Sequence, residues 1–139
     1  MAATDWSIRP LDDELGEALR AELLSWPGVT VRPVMGTLGY VCGRRQLGYY
    51  ANRELSLKKP VWLNRIGEPT YACVRLRLAD TERILKRPGV VPARLSFPGW
   101  VEISLNSRDS LEESVRCFGI AYEKPPRNAR RLPNRKMRR

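Results

Sequence analysis

The sequence predicts a two-layer α+β domain: a mainly antiparallel sheet with helices on one face, in the order α-β-β-β-(β)-α-β-β-α. Three observations predict it. Apolar residues recur at helical spacing in two separate stretches, one near residue 18 and one near residue 116. Between them, β-branched and aromatic runs alternate with turn dipeptides. Finally, 139 residues with 42% hydrophobic content supply one core and need no staple. Two helical stripes each need an apolar surface, and one face of a sheet serves both.

The first helix is predicted over 11–25, where Leu11, Leu15, Ala18, Leu19 and Leu23 share a face. Asp12, Asp13 and Glu14 suit its positive end, and Pro27-Gly28 stops it. Strands at Val29–Val34, Leu38–Cys42, Arg45–Ala51 and Glu54–Leu57 form a meander, with turns at Met35-Gly36-Thr37, Gly43-Arg44 and Asn52-Arg53. Another strand follows at Ala72–Leu78, with Val74, Leu76 and Leu78 facing one way and Cys73, Arg75 and Arg77 the other. Asp80 or Thr81 caps a short helix over 81–87, closed by Pro88-Gly89. A hairpin pairs 91–97 with 100–105 around Pro98-Gly99. Ser110-Leu-Glu-Glu113 then reads as a capping box opening a helix striped by Leu111, Val115, Phe118 and Tyr122. No internal repeat is evident.

Composition excludes several function classes. The chain has no histidine, which removes Ser-His-Asp and Cys-His nucleophile systems and His-ligated metals. Cys42, Cys73 and Cys117 are odd in number and widely spaced, a poor disulfide framework and a poor metal site. They read as small buried hydrophobes in a reducing compartment. The opening residues are polar, unlike a signal peptide, and no apolar run spans a membrane. A cytoplasmic, soluble, non-enzymatic protein without cofactor or metal is expected.

The formal charge of +10 is unevenly distributed. Lys124, Arg127, Arg130, Arg131, Arg135, Lys136, Arg138 and Arg139 give +8 in sixteen residues without an acid. The preceding 123 residues hold 17 basic and 15 acidic groups, a net of +2. With Pro125, Pro126 and Pro133 opposing a helix, 124–139 reads as a disordered basic tail. Such an arm neutralises phosphates on DNA or RNA in a salt-sensitive, sequence-blind way, or simply solubilises. The domain organisation expected is an extension over 1–10, one domain over 11–123 and the tail over 124–139.

Leu24-Ser-Trp-Pro-Gly-Val29, Gly43-Arg-Arg-Gln-Leu-Gly48, Gly99-Trp-Val-Glu-Ile-Ser104, and Asp109-Ser-Leu-Glu-Glu113 running on to Ala121-Tyr-Glu123 carry a resemblance. With the order of elements, they resemble a group of small bacterial domains labelled "luciferase", and more widely the TfoX N-terminal and MmcQ/YjbR-like domains. The resemblance covers roughly residues 15–123, with 61–78 matching less well. It implies a two-layer arrangement related to secretion-chaperone folds, and a regulatory role near DNA or with a nucleic-acid or protein partner. The "luciferase" pattern has histidines that this chain lacks, which counts against any activity depending on them.

Other residues invite a site. Tyr71, Arg75 and Arg77 share one parity of a predicted strand, and Arg44 and Arg45 sit at a hairpin turn, so they suit phosphate contact and base stacking. The alternative is an ordinary solvated face of a half-covered sheet. Gly36-Thr-Leu-Gly39 lacks a following Lys-Ser/Thr and reads as a turn rather than a phosphate loop. Asp12-Asp13 and Glu112-Glu113 read as helix starts, since adjacent positions do not face each other. Cys117, beside Arg116, lacks a base. Trp26, Trp62 and Trp100 anchor the core or its rim, with Trp100 also placed to line a groove. The functions that compete are a nucleic-acid-binding module, a protein–protein adaptor and a small-ligand domain.

Overall fold

A computed structural model describes residues 13–34, 37–52, 70–93 and 98–125. Among them the elements are α1 (Glu14–Leu24), β1 (Val29–Val34), β2 (Thr37–Cys42), β3 (Arg45–Asn52), β4 (Thr70–Arg75), α2 (Leu78–Ile84), β5 (Val90–Pro92), β6 (Trp100–Ser104) and α3 (Arg108–Glu123). The six strands form one sheet in the order β1-β2-β3-β4-β6-β5, and every pairing is antiparallel. The α+β class and the antiparallel sheet are as expected. The expected strand at 54–57, the arm at 94–97, the extension 1–10, Trp62 and the basic residues beyond Pro125 lie outside the described residues.

α1 and α3 cover one face. Leu19 and Leu23 of α1 and Leu111, Cys117, Phe118 and Ala121 of α3 join Leu38, Tyr40, Tyr50, Ala72, Val74, Val101 and Ile103 in one core. Asp13 caps α1, its Oδ1 accepting from the Gly16 amide at 3.1 Å. Its Oδ2 accepts from the Asn52 amide at 2.8 Å and from the Tyr50 hydroxyl, so one carboxylate both opens the helix and ties it to β3. Tyr40 is fully buried, edge-on to Phe118, and among the described residues its hydroxyl has no hydrogen-bond partner. Burial raises its pKa, and the phenol stays protonated.

β3 carries a bulge opposite Tyr40/Val41, which turns Leu47 and Gly48 toward the core. Only glycine fits at 48: a Cβ there runs into the Cys73 carbonyl oxygen and lies 2.8 Å from the Phe118 ring. The bulge and the glycine together seat Phe118 at the centre of the sheet.

Four expectations need correction. The face away from α1 and α3 is not solvated: Tyr71 and Glu102 are each 2% exposed, and Ala51, Tyr71, Cys73 and Ala93 form a second buried cluster flanked by Tyr49 and Trp100. β4 ends at Arg75, so Arg77 precedes a helix instead of extending the strand, and Leu78 is 66% exposed. α2 begins earlier than expected and has no side-chain cap, because Asp80 holds Arg77 and Arg83 instead. In α3 the cap is Ser107, paired reciprocally with Ser110, one turn ahead of the expected box.

The fold also contains a duplication. Leu23-Leu-Ser-Trp-Pro-Gly-Val29 and Ile84-Leu-Lys-Arg-Pro-Gly-Val90 end α1 and α2 with the same three backbone bonds. Ser25 and Lys86 donate to Glu22 and Arg83, Trp26 and Arg87 to Leu23 and Ile84, and Val29 and Val90 to Trp26 and Arg87. Gly28 and Gly89 take left-handed φ angles of 83° and 81°, which this turn requires. Each copy feeds an edge strand that is then paired by the next one. Too few identities are shared for the sequence alone to show it.

Those edge strands are short of free donors. The Val29 and Val90 amides are used by the turns, and alternation then points Val29, Val31 and Pro33 outward on β1, and Val90 and Pro92 on β5. Proline has no N–H, so the Val31 amide is the one outward donor left on these two described edges.

Candidate nucleic-acid interface

Antiparallel pairing gathers distant parts of the chain at one end of the sheet. Val29 lies across from Cys42, Arg45 follows the β2–β3 turn, and Arg75 is the cross-strand partner of Trp100. Arg44, Arg45, Arg75 and Arg77 therefore share this end. α3 runs toward it from the far end of β6 and stops there. Arg45 meets it there: its guanidinium donates to the carbonyls of Ala121 and Tyr122 at 3.4 and 3.3 Å. The last turn of α3 contains no basic residue of its own. β3 thus supplies the cation that the helix C-terminus favours.

The basic groups here fall into two kinds. Arg77 and Arg83 are committed to Asp80, which is 1% exposed, at 2.8 and 3.2 Å. The Arg77 hydrogen bonds hold the Asp80 carboxyl below the usual carboxylate range, and Arg83 and Lys124 contribute through their charge. Lys124 therefore lies within electrostatic reach of Asp80, on the same end of the fold. Arg44, Arg75 and Lys124 form no ion pair among the described residues. Arg44 and Lys124 are exposed, and Arg75 is half-buried beside Trp100. Trp100 is itself half-buried, with its ring 5.9 Å from that of Tyr49.

Acidic residues cluster at the opposite end of the sheet, alongside Arg87, Arg108 and Arg116. Asp13, Glu14 and Glu17 open α1, and Asp109, Glu112 and Glu113 lie in the first two turns of α3. A groove of about 680 Å³ sits here, lined among others by Arg87, Val91, Ser104, Ser110, Glu113 and Arg116. Its charges satisfy one another: Glu113 takes a 2.7 Å bond from Arg87 and lies 3.8 Å from Arg116. Cys117 adjoins Glu113, and burial, reinforced by that carboxylate, pushes its thiol up to about 12. A thiol so protonated is no nucleophile.

Of the residues singled out in the sequence, the structure brings Arg75, Arg77 and Lys124 to one end. Tyr71 is buried in the second cluster, away from solvent. Arg127, Arg130, Arg131, Arg135, Lys136, Arg138 and Arg139 lie outside the described residues. The gathering of Arg44, Arg45, Arg75 and Lys124 is invisible in the sequence because it depends on strand order; the Gly43-Arg-Arg45 turn was its one local signal. The described residues contain no group of three or more His, Cys, Asp or Glu placed to hold a metal, and no helix long and apolar enough to cross a membrane. Comparison with protein-family models, with curated proteins and with solved structures returns no match.

Proposed function

We propose that this chain is a non-enzymatic nucleic-acid-binding module, with residues 124–139 providing sequence-independent contacts to phosphate. The observation that carries this reading is the charge partition: +8 without an acid in sixteen residues, joined to a body of +2. The Arg45 clamp on α3 supports it, since that bond fixes where the basic segment leaves the fold. As part of the same reading, the two-layer domain is of the TfoX N-terminal and MmcQ/YjbR-like kind, acting in the cytoplasm as a regulatory module.

Titration of labelled DNA and RNA at several salt concentrations tests the reading. Each neutralised phosphate contributes about 0.7 (single strand) to about 0.9 (duplex) to the slope of log affinity against log salt. The whole chain is expected to give a steep slope. A variant with glutamine at Arg127, Arg130, Arg131, Arg135, Lys136, Arg138 and Arg139 is expected to lose most of it while keeping its thermal transition. Equal binding by the two proteins, or binding by neither, would overturn the proposal.

A further inference from the structure

We infer that the nucleic-acid site continues onto the folded domain, where Arg44, Arg75 and Lys124 contact the phosphates of a single strand and Trp100 stacks on one of its bases. This inference rests on the reading above and adds to it a surface and a ligand class.

Two observations carry it. First, the cations at this end of the sheet are sorted. Arg77 and Arg83 neutralise buried Asp80, and Arg45 neutralises the C-terminal end of α3. What remains, Arg44, Arg75 and Lys124, forms no ion pair among the described residues; Lys124 ends α3 on the helix side of the sheet, and Arg75 shares the other face with Trp100. The acidic starts of α1 and α3 lie at the far end, and at this end the exposed Glu123 adjoins Lys124.

Second, Trp100 stands directly across from Arg75 and is half-exposed, with Tyr49 behind it. The basic segment from Lys124 onward contains no aromatic residue and offers nothing for bases to stack on. An arginine beside an accessible aromatic ring is what unpaired bases bind, because every base has a π-face and a duplex keeps its own stacked inside. The ligand is therefore a single strand rather than a duplex. Tyr71, buried in the second cluster, takes no part.

The test uses the whole chain with dT12 and a 12-base-pair duplex as probes. Arg44→Gln and Arg75→Gln are each expected to weaken dT12 binding several-fold at low salt and to reduce the salt slope by about 0.7. Arg108→Gln, an exposed arginine at the acidic end, is expected to leave both unchanged. The Trp100 indole N–H resonance, assigned with Trp100→Phe, is expected to move on adding dT12. If R44Q and R75Q bind like R108Q while the parent protein binds steeply, the extension onto the domain is wrong and the basic-segment reading survives. Duplex binding as tight as dT12 with an unmoved Trp100 indole overturns the single-strand assignment. Absence of binding by the parent protein overturns both.

Discussion

Trp26 and Arg87 occupy equivalent positions in two copies of one turn, and each holds a different end of α3. Trp26 packs its ring 5.3 Å from that of Tyr122, whose hydroxyl donates to the Pro27 carbonyl at 2.7 Å. Arg87 grips Glu113, nearer the start of the helix, at 2.7 Å. The duplicated element thus serves as a pair of clasps, one aromatic and one ionic.

The two clasps differ in strength. Trp26→Ala removes a ring contact and part of the cover over the last turn of α3, and is expected to cost about 2–3 kcal/mol. Arg87→Ala is expected to cost less, since Arg116 remains near Glu113 and Arg87 is open to solvent. Urea unfolding of both variants checks the order; a larger loss for Arg87→Ala would contradict it.

Two glycines should respond in opposite directions to the same change. At Gly48 an added methyl meets backbone and the Phe118 ring, so Gly48→Ala should cost about 3 kcal/mol or more. At Gly119, inside α3, the nearest atom to an added methyl is on Trp26 at 3.9 Å, so Gly119→Ala should stabilise by up to about 1 kcal/mol. Thermal midpoints moving the same way would refute the assignment.

Thiol chemistry should distinguish the three cysteines. Cys73 and Cys117 are buried and Cys42 is half-exposed. Native protein at pH 8 is expected to release one equivalent with a disulfide reagent, from Cys42, and the other two only on unfolding. Rapid modification of Cys117 would mean that its thiol, held at about 12, is not as sealed as Glu113 and the core make it.

Asp80 should shape the acid limb of stability. Its folded pKa is depressed, chiefly by Arg77, so the unfolded chain takes up the proton first as pH falls. The stabilisation is complete above the unfolded value, about pH 4, and drains away as pH falls through the folded one. Asp80→Asn is expected to be less stable at pH 6 and to flatten the curve below about pH 4. An unchanged acid limb, measured by unfolding across that range, would contradict this.

Much of the fold was legible in sequence because its signals are local. Pro27-Gly28 and Pro88-Gly89 each follow a helix that the sequence predicts them to end, and the Val101/Ile103 alternation marks a half-buried strand. What failed was competition between local options. Asp80 looks like a helix cap, but a buried carboxylate gains more from two arginines than from one amide. Tyr71 looks like a stacking platform on strand parity, yet parity says which face a residue takes and nothing about whether that face is covered. The cationic end belongs to a third kind. Arg44 and Arg75 are far apart in the chain, and only the antiparallel register brings them to one end of the sheet.

The scarcity of outward donors on β1 and β5 also bears on how the protein behaves when crowded. A polyanion loads many copies of a basic protein side by side, and sheets with open edges then add to one another strand by strand toward cross-β fibres. Here Pro33 and Pro92, with the turn-bonded Val29 and Val90 amides, leave an incoming strand its acceptors but few donors on these two edges. The same Pro-Gly turn that clasps α3 thus removes a donor from each edge strand and works against strand-by-strand addition there.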